Sequence, residues 1–183
     1  MKRKTTREIL VESFKELAQE KPVNKITVQE IASNCGYSPA TFYRQFRDKY
    51  DLIAWDYTRG PGTIIEELSE DGVGLEATTK RVFAYYFEQQ EYVLNLLANT
   101  SGRDSFVRYM AHANSELMEN EVRLMSGKDA VDESTSFCIR SYCLGTTAIV
   151  CEWIAGGCKL PIERLARLCI EALPSPLVKL LRL

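Results

Sequence analysis

Residues 26–52 read ITVQEIASNCGYSPATFYRQFRDKYDL, and this stretch predicts two short helices joined by a tight turn. Thr27, followed three residues later by Glu30, matches a capping box at the start of a helix. Gly36 suits the left-handed turn that ends such a helix, because it has no Cβ atom. The first helix is therefore expected between Thr27 and Gly36.

A second short helix is predicted directly after this turn. Ser38 offers an N-cap hydroxyl, and Pro39 stands at the first helical position, where its missing N–H is not needed. Phe42 and Phe46 lie one turn apart, so both side chains point to the same side. A helix, a glycine turn and a capped helix in this order predict a helix-turn-helix motif.

The opposite side of the second helix carries candidates for DNA contact. Ala40, Thr41 and Arg44 lie there, with Tyr43 and Gln45 on its flanks. Short side chains let a helix enter the major groove, and Thr, Arg and Gln hydrogen-bond to base edges or phosphates. The alternative is an ordinary exposed helix of an α-helical enzyme, because helix-turn-helix geometry also occurs in proteins that bind no nucleic acid.

The segment 9–57 resembles the N-terminal domain of the TetR family of transcriptional regulators. The motifs TVQEIA, CGYSPATFYRQF and DKYDL carry this resemblance, in that order and spacing. The family's Thr-aromatic-Tyr core, a following Phe and the Lys that opens the next helix correspond to Thr41, Phe42, Tyr43, Phe46 and Lys49. Pro39 and Ala40 stand where members often carry Lys, Arg or Gly, so the resemblance does not imply an operator sequence.

The resemblance implies a regulator, most often a repressor, that binds a palindromic DNA operator as a homodimer. It implies phosphate contacts from Thr27, Tyr43 and Lys49 and base contacts from Thr41, Arg44 and Gln45. The predicted DNA-binding set is Thr27, Ser38, Pro39, Ala40, Thr41, Tyr43, Arg44, Gln45 and Lys49. A small-molecule effector bound in the C-terminal part would release the operator.

The C-terminal half loosely resembles the subgroup of dihydroxyacetone-kinase regulators. The pattern FxxxQxxYVLNLL from Phe87 and the run LGTTAIVCEWIAGG carry this second resemblance. It implies an alternative function, in which an activator or interaction protein is controlled by a protein partner and not by a small ligand.

The charge is distributed unevenly along the 183 residues. Residues 1–50 carry a net charge of +4 and the remainder −6, within a total of −2. A basic N-terminal part can face phosphates while an acidic part stays away from them. Without a signal peptide or a membrane-length apolar run, a cytoplasmic protein with no membrane partner is expected.

No cofactor, metal site or catalytic residue is predicted. The six cysteines form no C-x-x-C pair, and His112 has no matching ligand set for zinc. Reduced, mostly buried thiols are therefore expected, with a redox or metal role as the alternative. The sequence also contains no nucleophile motif and no glycine-rich phosphate loop, which argues against an enzyme.

The pattern of apolar residues predicts an all-α fold with two parts. Residues 1–59 form a three-helix DNA-binding head with the helix-turn-helix, and residues 60–183 form a helical-bundle body for effector binding and dimerisation. Gly60-Pro61-Gly62 is the predicted joint between them, although a kink inside one longer helix is the alternative.

Two further sets of residues are candidates in the body. Ligand contacts are predicted for polar or amphipathic residues in apolar helices, namely Tyr85, Tyr86, Tyr109, His112 and Glu152, each of which can instead be ordinary core packing. The predicted dimer interface uses small and apolar residues of the last two long helices, namely Leu144, Gly145, Ala148, Leu165, Leu168, Cys169 and Ala172. This face can equally be buried within one subunit.

Overall fold

The computed structural model describes residues 4–70, 74–102, 105–127 and 129–181, without the side chains of residues 65–70. The described residues form helices and contain no strand, which confirms the all-α prediction. The helices are α1 (Thr6–Glu20), α2 (Val28–Asn34), α3 (Pro39–Tyr43), α4 (Lys49–Glu70), α5 (Leu75–Glu88), α6 (Gln90–Asn99), α7 (Phe106–Ser126), α8 (Glu133–Ala155), α9 (Ile162–Glu171) and α10 (Ser175–Leu180). A 3₁₀ turn, Val23–Lys25, precedes α2.

The predicted helix-turn-helix is formed by α2 and α3. The Thr27 hydroxyl accepts a hydrogen bond from the Glu30 N–H, and the Glu30 carboxylate accepts one from the Thr27 N–H, which completes the capping box. Gly36 has a φ of +74°, as expected for the left-handed turn. The Ser38 hydroxyl caps α3, with Pro39 in its first turn. Local capping signals therefore set the start of both helices.

The head is held together by an apolar core and by buried polar groups that bond to the backbone. Leu10, Phe14, Ile31 and Phe42 are fully buried where α1 covers the helix-turn-helix. The Ser13 hydroxyl donates a hydrogen bond of 2.7 Å to the Ile31 carbonyl, which fixes α1 against α2.

Helix α4 runs through Gly60-Pro61-Gly62 to Glu70, so these residues lie inside one longer helix, as in the alternative, and the division into head and body at this point stays a prediction. Pro61 removes one backbone hydrogen bond, but its ring is buried. Gly60 lets α5 come close, because a Cβ atom there would lie 2.2 Å from the Tyr85 hydroxyl oxygen. Tertiary packing thus keeps a sequence helical that local propensity alone would break.

The body consists of α5 to α10 and the second half of α4. Helix α8 ends at Ala155, directly before Gly156, and α9 begins at Ile162, directly after Pro161. Helix α9 ends at Glu171, and α10 begins at Ser175. None of the described helices combines the length and the apolar character that crossing a membrane requires.

Two groups of polar side-chain bonds join the head to α6 and to the segments beside it. The Asn95 amide donates to the carbonyls of Ala18 and Lys21 and accepts from the Val23 N–H. The Lys15 ammonium lies 2.9 Å from the Asp56 carboxylate and donates to the Gln89 side chain. The larger apolar core continues from α1 to α9.

Candidate functional site

Helix α3 presents a short, polar surface to solvent. Ser38 and Ala40 are exposed, and Pro39 and Thr41 are partly exposed. The Ser38 and Thr41 hydroxyl oxygens lie 3.2 Å apart, beside the N-terminus of the helix. Tyr43 is 59% exposed, while its neighbour Phe42 is fully buried and anchors the helix to the core.

Arg44 and Gln45 lie beyond the helix on which they were expected. Helix α3 ends at Tyr43, and Arg44 is its C-cap, with its backbone N–H bonded to the Ala40 carbonyl. The Arg44 side chain is exposed. The Gln45 carbonyl accepts a hydrogen bond from the Arg7 guanidinium, which also lies over the Phe46 ring. Both residues remain beside α3, but in the turn that follows it.

The side chain of Lys49 is hydrogen-bonded within the head. Its ammonium donates hydrogen bonds of 3.0, 2.9 and 2.8 Å to the carbonyls of Val23, Asn24 and Ile26. These bonds use all three ammonium hydrogens. This geometry gives Lys49 a structural role, and the phosphate contact that the resemblance implied stays a prediction.

Thr27 is exposed at the start of α2, but its hydroxyl serves the capping box. The hydroxyl proton points to the Glu30 carboxylate at 2.8 Å, and the Glu30 N–H bonds to the hydroxyl oxygen. A phosphate contact by Thr27 therefore stays a prediction.

The body contains a pocket of about 280 Å³ between helices α4, α5, α7, α8 and α9. Most of its lining is apolar, with residues such as Val82, Phe83 and Met110. The polar side chains on its wall include Tyr57, Tyr86, Asn114 and Thr147. This is the size and character of a site for a small organic ligand, at the lower end of the usual range.

Only one of the five predicted ligand residues, Tyr86, lines this pocket. Tyr85 packs against Gly60, and the Tyr109 hydroxyl donates to the Ala54 carbonyl of α4. His112 and Glu152 are exposed on the outside of α7 and α8 and do not line this pocket, so a ligand contact by either residue stays a prediction. Both residues have apolar neighbours in the sequence, but their own side chains lie on the solvent-exposed side of the helix.

Tyr57, Asn114 and Thr147 are among the polar residues of the pocket that were not predicted. The Tyr57 hydroxyl donates to the Asn114 side chain at 2.9 Å, and the Asn114 amide donates to the Thr147 hydroxyl at 3.1 Å. Asn114 lies one turn after Met110 on the apolar face of α7, so its spacing in the sequence could have indicated that it faces inward. Thr147 lies between Gly145 and Ala148 of the predicted dimer interface, but it is buried in its own chain.

The groups inside the pocket are uncharged at neutral pH. Burial raises the pKa of the Tyr57 and Tyr86 hydroxyls, and that of the Cys143 thiol to about 11. Burial also raises the pKa of the Cys169 thiol. Among the lining residues that the structure describes, the carboxylate of the exposed Glu121 is the only charged group.

The predicted dimer residues divide into two groups. Leu144 is 55% exposed and Leu168 37%, and Gly145 and Ala172 are also exposed, with Ala148 partly so. Leu165 and Cys169 are buried in the core of the same chain, and Cys169 lines the pocket. An outer face of α8 and α9 is thus free to contact another molecule, but Leu165 and Cys169 do not belong to it.

Comparison with protein families gives two matches. Residues 10–54 match the family described as bacterial regulatory proteins, tetR family, and residues 75–174 match the family described as transcriptional regulator C-terminal region. The first match contains the helix-turn-helix, and the second contains most of the pocket and of the outer face. No curated protein sequence matches the chain.

Solved structures share the fold at low sequence identity. The dihydroxyacetone kinase operon activator DhaS superposes with a TM-score of 0.64 and 20% identity, over 97% of this chain and 96% of its own. The fatty acid degradation regulator FadR from Bacillus halodurans gives 0.59 and 16%, over 94% and 96%. Thermus thermophilus FadR, a transcriptional repressor solved with lauroyl-CoA, gives 0.57 and 15%, over 91% and 92%.

Proposed function

The chain belongs to the TetR family of transcriptional regulators, and from this premise we propose that it is an operator-binding repressor which a small molecule releases. The DNA-binding function follows from the family. The proposed release by a small molecule rests on the position of Tyr57. This residue lies on α4, the helix that extends from the head into the body, and it also lines the body pocket.

The proposed DNA contacts lie around α3. Ser38, Pro39, Ala40 and Thr41 form a surface of small side chains that suits the floor of a major groove. Tyr43 and Arg44 are the longer exposed side chains beside it. We assign Tyr43 to a phosphate and Arg44 to a base edge, with Gln45 as a further base contact and Thr27 as a further phosphate contact. Lys49 supports the surface from inside the head.

The proposed active form is a two-fold dimer through the outer face of α8 and α9. Leu144, Gly145, Ala148, Leu168 and Ala172 make up this face, and exposed apolar side chains there support a partner surface. A Cβ atom at Gly145 would meet no atom of the same chain. The dimer would place two α3 helices in successive major grooves, about 34–36 Å apart.

The proposed regulation runs through α4. A ligand in the pocket touches Tyr57, whose hydroxyl bonds to Asn114 and whose ring stacks on Tyr86 at 5.8 Å. A change in these contacts moves or tilts α4 and so shifts the population of head positions that fit the operator. The proposed division into a head of residues 1–59 and a body of residues 60–183 places this coupling inside one helix.

Regulators of this family are generally not enzymes, and we propose no catalytic role, cofactor or membrane partner for this chain, which would act in the cytoplasm. A second candidate is an activator controlled by a protein partner. Leu124 is 77% and Phe137 70% exposed near the α7–α8 turn, and such apolar side chains suit protein contact.

Selection of bound sequences from random double-stranded DNA tests the proposal. The wild-type chain should select an inverted repeat whose half-sites lie about one helical turn apart. Gly145→Arg should give monomers and lose the repeat, because the added side chain meets open space in its own chain and obstructs only a partner. His112→Arg, on the exposed side of α7, is the control and should select the same repeat. Selection of an unpaired half-site by the wild-type chain would contradict the dimer.

A further inference from the structure

The turn that follows α3 is held in place by contacts from other elements. Helix α3 has only five residues, and helices this short are not stable on their own. The N–H groups of Gln45 and Phe46 donate to the Phe42 carbonyl at 2.8 and 3.0 Å, which ties the turn to the end of the helix. The position of this turn, which carries Arg44 and Gln45, therefore depends on what packs against it.

Arg7 of α1 makes one of these contacts. Its guanidinium carbon lies 5.4 Å from the centre of the Phe46 ring and 5.9 Å from the centre of the Trp55 ring. Its Nη2 atom donates a hydrogen bond of 3.2 Å to the Gln45 carbonyl. A guanidinium is planar and carries its donors in a fixed arrangement, so contacts with two rings and a carbonyl set both its position and its orientation.

The rings that Arg7 contacts connect the turn to α4. Phe46 is 3% exposed and packs edge-to-face on Trp55 of α4, with 6.0 Å between the ring centres. Phe46 anchors the turn by its side chain, and Arg7 anchors it by the backbone carbonyl of Gln45. Without Arg7 the backbone of the turn would lose this bond, although Phe46 would stay in the core. Arg44 and Gln45 would then be held less firmly relative to α3.

Arg59 of α4 provides an internal comparison for Arg7. Its guanidinium carbon lies 5.0 Å from the centre of the Trp55 ring, and its guanidinium pairs with the Glu8 carboxylate of α1. The two arginines therefore carry the same charge and contact the same ring, but the bond to the turn comes from Arg7. A comparison of the two separates the effect of that bond from the effects of charge and of packing on Trp55.

A direct phosphate contact is the alternative role for Arg7, because its side chain is exposed beside the proposed DNA surface. The two roles predict different results. A phosphate contact carries no base information, so its loss weakens binding to all sequences about equally and lowers the salt dependence. Loss of a residue that holds Arg44 and Gln45 in place changes the preference at the bases that these side chains read.

We propose that Arg7 is a positioning residue for sequence reading, which fixes the turn after α3 so that Arg44 and Gln45 reach their bases. This inference rests on the proposed function, because it concerns the residues that are assigned there to base edges. The guanidinium of Arg7 is already committed to two rings and a carbonyl of its own chain, which favours positioning over a phosphate contact.

Affinities of the full chain for a panel of single-base changes in the selected operator test this role. Arg7→Gln should reduce discrimination about three- to tenfold at the base positions where Arg44→Ala or Gln45→Ala also reduces it. Arg7→Lys should do the same, because an ammonium keeps the charge but lacks the planar group that spans both rings and the carbonyl. Arg59→Gln is the matched control and should leave discrimination unchanged. A uniform loss of affinity for Arg7→Gln, with the discrimination of the wild type, overturns the proposal in favour of a phosphate contact.

A variant that lacks the reading side chains tests whether Arg7 acts through them. Arg7→Gln is added to Arg44→Ala/Gln45→Ala, and the discrimination of the double and the triple variant is compared. The two should discriminate equally, because the groups that Arg7 positions are already absent. A further loss of discrimination in the triple variant would mean that Arg7 reads a base itself, which overturns the positioning role.

The single variants separate this inference from the proposed function. If Arg44→Ala and Gln45→Ala leave the sequence preference unchanged, the proposed reading surface fails and the role of Arg7 fails with it. If they alter the preference but Arg7→Gln and Arg7→Lys do not, the reading surface stands and the role of Arg7 alone fails. Circular dichroism shows whether each variant is folded, and Arg7→Lys decides the test if Arg7→Gln is not.

Discussion

Polar side chains of the head bond to the backbone of the head, whereas the body pocket contains a chain of polar side chains that bond to one another. Ser13 and Lys49 donate to backbone carbonyls of the head. In the pocket, the Tyr57 hydroxyl donates to the Asn114 side chain and the Asn114 amide donates to the Thr147 hydroxyl. Bonds to the backbone fix the head internally, whereas the second amide hydrogen of Asn114 is left for another partner.

The two regions are nevertheless parts of one packed structure. The apolar core runs from Leu10 in α1 to Cys169 in α9, and α4 is part of both the head and the body. A second, smaller core around Ile139 and Leu177 lies where α10 packs on α8 and α7. The head is therefore joined to the pocket by the continuous helix α4.

The largest effect is expected when the core of the head is broken. Phe42 is fully buried, so Phe42→Ala should destabilise the chain by about 3–5 kcal/mol, while Phe137→Ala, on an exposed residue, should change stability by less than about 0.5 kcal/mol. Denaturant unfolding followed by circular dichroism measures both. Because head and body share a core, the whole transition should shift. A separate early transition would instead show that the head unfolds alone.

Lys49 tests whether polar bonds inside the head matter as much as its apolar core. Lys49→Met keeps the length of the side chain but leaves three carbonyls without their donor, and should cost about 3 kcal/mol. Lys25→Met removes an exposed ammonium from the same loop and is the control. If the two variants are equally stable but Lys49→Met loses DNA affinity, Lys49 is a phosphate contact after all.

The head was predictable because its signals are local. The capping pairs Thr5–Glu8 and Thr27–Glu30 and the Gly36 turn each depend on residues within one or two turns. The carbonyls that hold Lys49 lie 23 to 26 residues away, and nothing in the local pattern indicates them.

Periodicity could place Asn114 on the inner side of α7, but it could not show which residues of other helices form the pocket with it. Tyr57 and Asn114 are 57 residues apart, and only the packing of α4 on α7 brings them together. Helix α8 is apolar on both sides, because Val150 is buried and Leu144 and Ile149 are exposed. The pattern therefore could not show whether Thr147 or Glu152 points inward.

The reading surface of the head gives a smaller effect that depends on sequence. Arg44→Ala should reduce preference at particular operator positions by about 1–3 kcal/mol, because a base contact carries sequence information. Tyr43→Phe should weaken binding to all sequences about equally, because a phosphate contact does not. Affinities for a panel of single-base operator changes separate the two. A uniform loss for Arg44→Ala and an altered preference for Tyr43→Phe would reverse the assignment.

The smallest effect is expected when the pH is lowered, because this changes the stability contributed by an ionised group of the head and leaves the uncharged groups of the pocket unchanged. The Lys21 ammonium and the Thr27 backbone N–H hold the pKa of Glu30 at about 2, below its ordinary value of 4.5. The folded-state pKa is lowered, so the stability from Glu30 is present above about pH 4.5 and is lost as the pH falls towards 2.

Glu30→Gln keeps the shape of the capping box but removes the titrating group. It should therefore be less stable than the wild type at neutral pH, and the difference should shrink as the pH falls through this range. Glu20→Gln, at an exposed position near the end of α1, should stay parallel to the wild type. A constant difference between the wild type and Glu30→Gln from neutral pH to pH 2 would mean that the charge of Glu30 does not stabilise the head. Of these polar groups, only the uncharged bonds of Ser13 and the bonds of Lys49 would then stabilise the head.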